Sequence, residues 1–271
     1  MSTRLSASST LRAVLLSLVA LGILVLLVAT GGGGDEGPEQ GSEAPDGFRV
    51  LAGGEVYDAI LDAQREAGSW QMTQQTESGG RAGQPITSEV TWDGDAVASR
   101  ITVQDPAGQL EATYVDKSLY IKGLASERPW WKVSLRADDP LGGAIAGLLT
   151  LADPEKQAGA WADPDEFEVV GAEDVEDQEA LHYRIGVSAR KYFESLGVAA
   201  GAEQSQFAED DRFVFDLWLD ERDQPLRVRT TSAVDGSEAV TEATYTGYGT
   251  DLEIAAPPAG QVTTRTPDLQ G

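Results

Sequence analysis

The spacing of apolar and polar positions divides this chain into helical and alternating stretches. Val56, Ala59, Ile60, Ala63 and Ala67 recur at helical spacing. This predicts an amphipathic helix near residues 54–67, stopped at Gly68. The period then drops to two. Val90 and Trp92 alternate with polar residues up to Asp93-Gly94, a hairpin signal, and Val97, Ile101 and Val103 form the return strand. Leu110, Ala112 and Tyr114 alternate next, a turn falls near Asp116, and Leu119 to Ile121 begin another strand. Trp130 to Val133 close that series. Successive hairpins of this kind predict an antiparallel meander.

A second helical pattern follows. Pro140 opens it, and Leu141, Ile145, Leu148 and Leu149 share one face. Gly142, Gly143 and Gly147 weaken that helix and permit close approach. After an acidic stretch read as loop, Leu181, Tyr183, Ile185 and Val187 alternate. Tyr192, Phe193 and Leu196 suggest a short helix stopped by Gly197, and a polar loop runs on to Asp211. The last third reads as strands again: Phe213 to Leu219, then Leu226 to Thr230, then Thr241 to Tyr245. Leu252 to Ile254 are expected to end the fold, ahead of Pro257-Pro258.

The amino terminus has a different pattern. Arg4 and Arg12 precede an uncharged apolar run from Ala13 to Ala29, and the first acids come at Asp35 and Glu36. Basic before and acidic after places the amino end inside and the bulk outside. The run exceeds a usual signal-peptide core and falls slightly short of a spanning helix. Residues 1–30 are therefore read as a signal sequence or a single-span membrane anchor. Residues 31–49, rich in Gly, Pro and acids, read as a flexible stalk. The four glycines from Gly31 form no phosphate loop, because no Gly-Lys-Ser/Thr follows. Residues 50–262 form the folded domain in this reading, and 263–271 a polar tail.

Charge and composition narrow the function. The chain of 271 residues carries 45 Asp+Glu against 20 Lys+Arg, a formal net charge of -25. Nucleic acid needs Lys and Arg to replace its counterions, so it is not an expected partner, and anionic headgroups are disfavoured too. There is no cysteine, which removes disulfides, thiolate metal sites and a cysteine nucleophile together. The single histidine, His182, lies within an alternating run and is expected on its polar side. One histidine without cysteine builds no zinc site of ordinary type.

Acids cluster at 163–166, 173–177 and 209–211, but none matches a calcium-loop pattern, and they read as solvated loops. No Gly-x-Ser-x-Gly elbow is present, and nothing selects a carboxylate pair. The chain is read as non-enzymatic and without a cofactor. Of the neighbouring Trp130 and Trp131, one is expected to point inward, either packing a core or lining a ligand cleft.

An ordered series of short motifs resembles the LppX/LprG-type lipoproteins of actinobacteria, themselves similar in fold to the LolA/LolB carriers. The helix near 54–67 precedes the meander; Tyr120-Ile121-Lys122 and Trp131-Lys132-Val133 follow. Then come Asp139-Pro140 with Leu148-Leu149, and His182-Tyr183-Arg184-Ile185. Leu217-Trp218-Leu219-Asp220 and Pro225-Leu226-Arg227-Val228 precede Tyr248-Gly249 and the end at Ile254 to Pro258. Where such lipoproteins carry the lipobox cysteine, Leu27-Val28-Ala29 is followed here by Thr30. The resemblance implies an α+β fold: a curved antiparallel β half-barrel with helices covering its concave face. It also implies extracytoplasmic binding or carriage of a lipid or lipoglycan, with the membrane met through the amino-terminal segment. Leu141, Ile145, Leu148, Leu149, Trp131, Phe193 and Leu196 are the cleft candidates. The alternative is a non-enzymatic interaction or sensory domain in which these side chains fill a closed core.

Overall fold

The computed structural model describes residues 44–94, 96–105, 108–124, 126–134, 163–195, 211–234 and 237–267. A 3-10 turn at Gly53–Glu55 leads into α1 (Val56–Ala67), whose end is closed by Gly68 at φ +71°. That left-handed cap is a conformation glycine adopts without a Cβ penalty, and the Gly68 N–H reaches the carbonyls of Gln64 and Arg65. Strands β1 (Ser69–Ser78), β2 (Arg81–Ala82), β3 (Ile86–Asp93), β4 (Ala96–Asp105), β5 (Gly108–Val115), β6 (Ser118–Lys122) and β7 (Trp130–Lys132) follow. Then come β8 (Glu166–Val175), β9 (Gln178–Ser188), α2 (Ala189–Ser195), β10 (Arg212–Leu219), β11 (Pro225–Val234) and β12 (Ser237–Thr246). A short β13 (Val262–Thr263) closes the series. The class is α+β and mainly antiparallel with few helices, as the sequence predicts.

The chain divides into two compact units. The first contains β3 to β7 and β13, in the order β13-β7-β6-β5-β4-β3. Its strands are antiparallel except for β13, which runs parallel to β7. The β5–β6 turn places Asp116 at φ 50° and Lys117 at φ 54°, the left-handed pair of a type I′ hairpin. One face is apolar: Ile86, Val90, Trp92, Ile101, Leu110, Ala112, Leu119, Ile121 and Trp131 are all buried. The other face carries charge, where Arg100 pairs with Glu89 at 2.7 Å and Lys122 with Glu111 at 3.5 Å. This is the two-sided alternation of a half-buried sheet.

The second unit contains α1, β1, β2, β8 to β12 and α2, in the strand order β1-β12-β11-β10-β9-β8 with β2 paired to β1. Its inner face presents Trp70, Met72, Ala243, Tyr245, Val228, Phe215, Leu217, Tyr183 and Ile185, all buried. Both helices cover that face. Val56, Ile60, Leu61 and Ala63 of α1 are buried. From α2, Tyr192 packs on Phe213 with ring centroids 4.6 Å apart. Tyr183 ties the entry segment down: its hydroxyl donates to the Arg49 carbonyl and accepts from the Leu51 N–H, both at 3.1 Å.

Four strands depart from the sequence reading, the two-residue β2 among them. β1 pairs with β12 over eight positions although Thr and Gln dominate it; its signal is the alternation Trp70, Met72, Gln74. β8 is a strand where an acidic loop was expected, with Glu173 and Asp174 inside it and only Glu176-Asp177 in the turn. Ladder pairing also continues past Ile254, since β13 lies beyond Pro257-Pro258 and its Val262 carbonyl accepts from Arg128 at 2.9 Å.

Candidate functional site

On the apolar face of the first unit, antiparallel register aligns one residue from each of five strands. Ser88 lies opposite Ile101, Ile101 opposite Ala112, Ala112 opposite Ile121, and Ile121 opposite Trp131. Partners in register share a face, so Trp131 joins the apolar row and is 1% exposed. Trp130 faces the other way, with the Lys122 ammonium 5.4 Å from its ring. The sequence expectation that one tryptophan turns inward is met by Trp131. Both ends of the row are polar and unsatisfied. The Trp131 Nε1 and the Ser88 Oγ are buried without a hydrogen-bond partner.

Trp131 is the one cleft candidate whose side chain is among the described residues. Phe193 belongs to α2 by its backbone, and its side chain lies outside the described set. Leu141, Ile145, Leu148, Leu149 and Leu196 also lie outside it. So does the run from Ala13 to Ala29; among the described residues no helix is long and apolar enough to cross a membrane.

The opposite face of the second unit carries a polar constellation that the sequence did not disclose. His182 faces away from Leu181 and Tyr183, as expected, yet it is buried. Its Nδ1 lies 3.0 Å from Glu173 Oε1 and its Nε2 2.9 Å from Asp216 Oδ1. Trp218 stacks on the imidazole and donates from Nε1 to the other Glu173 oxygen at 2.7 Å. Arg184 Nε also donates to Asp216 Oδ1 at 2.9 Å. The Trp218 bond, then the His182 bond, hold the Glu173 carboxyl below the usual carboxylate range. With both ring nitrogens engaged, this histidine has no free nitrogen to accept a proton from a substrate. It acts as a satisfied polar core across β8, β9 and β10.

Beside it, Val175 and Leu226 pack with Ala180 and Trp218 and also line a cavity of about 360 Å³ that extends to Asp220, Gln224, Tyr245 and Tyr248. Burial raises the Asp220 carboxyl and pushes both phenols up. The acids at 163–166 are solvent-exposed, as read from the sequence, and three of them also make specific bonds. Asp165 accepts the Ser188 N–H at 2.6 Å, Lys191 pairs with Asp163 at 2.8 Å, and Arg212 with Glu166 at 3.1 Å. Among the described residues no cluster of three His, Asp or Glu is arranged to hold a metal ion.

No protein-family profile matches the chain, and no characterised sequence matches it. In structure it is similar to several solved proteins. The lipoprotein LppX of Mycobacterium tuberculosis is 9% identical, with a TM-score of 0.45 over 74% of this chain and 97% of that one. LprF of Mycobacterium bovis is 12% identical, with 0.44 over 75% and 97%. A LolA-superfamily protein of Nitrosomonas europaea is 11% identical, with 0.33 over 75% and 96%. These neighbours include the group named from the motif order.

Proposed function

We propose that the protein binds a lipid or other acyl-chain ligand outside the cytoplasmic membrane and carries or presents it in the envelope. The amino-terminal segment would hold it to that membrane or, if cleaved, release it. The observation that carries this reading is the apolar sheet face of the first unit, with Trp131 at its β7 end. Leu141, Ile145, Leu148 and Leu149, which follow β7 in the sequence, are the proposed opposite wall. Phe193 and Leu196 stay separate candidates in the second unit. Apolar burial would drive binding, at about 0.8 kcal/mol per buried methylene before association costs. No cofactor is invoked. The -25 net charge favours neutral or zwitterionic lipid over anionic headgroups.

The test is native mass spectrometry of the protein purified from its own host after mild extraction. A co-purifying lipid mass is the expected result. A lipid-free protein whose first-unit face is packed solid with its own side chains would overturn the reading.

A further inference from the structure

We infer that the ligand of the first-unit face carries a carbonyl or ester oxygen within its buried part, which accepts from the Trp131 indole N–H. A plain hydrocarbon would leave that donor stranded. This rests on the acyl-chain reading above and deepens it by naming the ligand's chemistry.

The row Ser88, Ile101, Ala112, Ile121, Trp131 has three apolar residues between two polar ones. Ser88 is 2% exposed and Trp131 1%, and neither the hydroxyl oxygen nor the indole nitrogen has a partner. Buried polar groups are almost always satisfied, and an unsatisfied one invites a partner from outside the chain. An indole N–H only donates, so its partner must be an acceptor. A serine hydroxyl both donates and accepts, so it does not narrow the choice. The four strand spacings between the two ends span about 19 Å. An acyl chain laid across the strands would rest on Ile101, Ala112 and Ile121, with its ester end at Trp131. An ester carbonyl meets that donor squarely. An ether oxygen at the same place is a poorer acceptor.

The full-length protein, extracted in mild detergent and delipidated, is titrated with dipalmitoyl phosphatidylcholine and with its dihexadecyl ether analogue. Wild type should bind the diester about tenfold more tightly, the worth of one hydrogen bond to a buried donor. Trp131→Phe keeps a ring and deletes the N–H, and should bring the two lipids to parity. Equal affinity of wild type for both lipids overturns the inference and leaves the lipid reading standing. Water satisfying the indole would produce that same equality. Binding of neither lipid removes both. Should Trp131→Phe fold poorly, the wild-type comparison decides alone.

Discussion

The Trp218 indole lies over the His182 imidazole, ring centroids 4.3 Å apart and planes inclined by 20°, and both rings bond the one carboxylate of Glu173. That arrangement ties three strands together through side chains, in addition to the backbone ladder. It also makes the second unit's outer face a place where single substitutions should be costly.

His182→Ala leaves Asp216 buried with one partner fewer and opens a gap beneath Trp218. A loss of about 2–4 kcal/mol in urea unfolding is expected, from stranded hydrogen bonds and lost packing together. Glu173→Gln keeps the size and one acceptor, and should cost about 1 kcal/mol. Equal, small effects for both would show that the ring is held by burial alone.

Acid stability follows from two carboxyls. Glu173 is lowered by Trp218 first and His182 next, and Asp165 by the Ser188 backbone N–H first. A folded value below the unfolded one contributes stability fully present above the unfolded value, 4.5 for Glu173 and 3.8 for Asp165. That contribution is lost as pH falls through the lower folded values. Asp220 runs the other way, because burial raises it and protonation relieves the cost. Urea midpoints recorded down the acid range should therefore fall less steeply in a Glu173→Gln, Asp165→Asn double variant than in wild type.

Gln74 is a buried amide on β1 whose nitrogen and oxygen both lack partners. Replacing it with Met removes two unsatisfied polar atoms and keeps the volume. Stability should rise by about 1–3 kcal/mol, read as a higher thermal midpoint. A fall instead would mean that the amide is satisfied by a bound water or ligand.

Gly123 sits at φ +98°, and a Cβ there would run into the Gln109 carbonyl oxygen across the β5–β6 pair. Gly123→Ala should cost about 2–4 kcal/mol, because both the dihedral and the ladder backbone must shift. Hydrogen exchange localised to β5 and β6 would place the damage.

Much of the fold was legible because its signals are local. The α1 stripe with its Gly68 stop, the Asp93-Gly94 turn, the Asp116 turn and the alternation in β9 and β10 each occupy a few adjacent residues. β1 and β8 were missed because polar and acidic side chains dominate them, and neighbouring strands rather than their own composition make them strands. The face of Trp131 could be read from alternation as one of two choices; only pairing with Ile121 decided it.

The sequence by itself determined the charge, the absence of cysteine, the amino-terminal apolar run and the period of each element, since these depend on residues close together in the chain. Tertiary structure alone decided the His182 constellation and the polar ends of the Ser88 to Trp131 row. Glu173 and Asp216 stand 9 and 34 positions from the histidine they bond. Strand register, a long-range choice set by packing the whole face at once, is what brings such residues together.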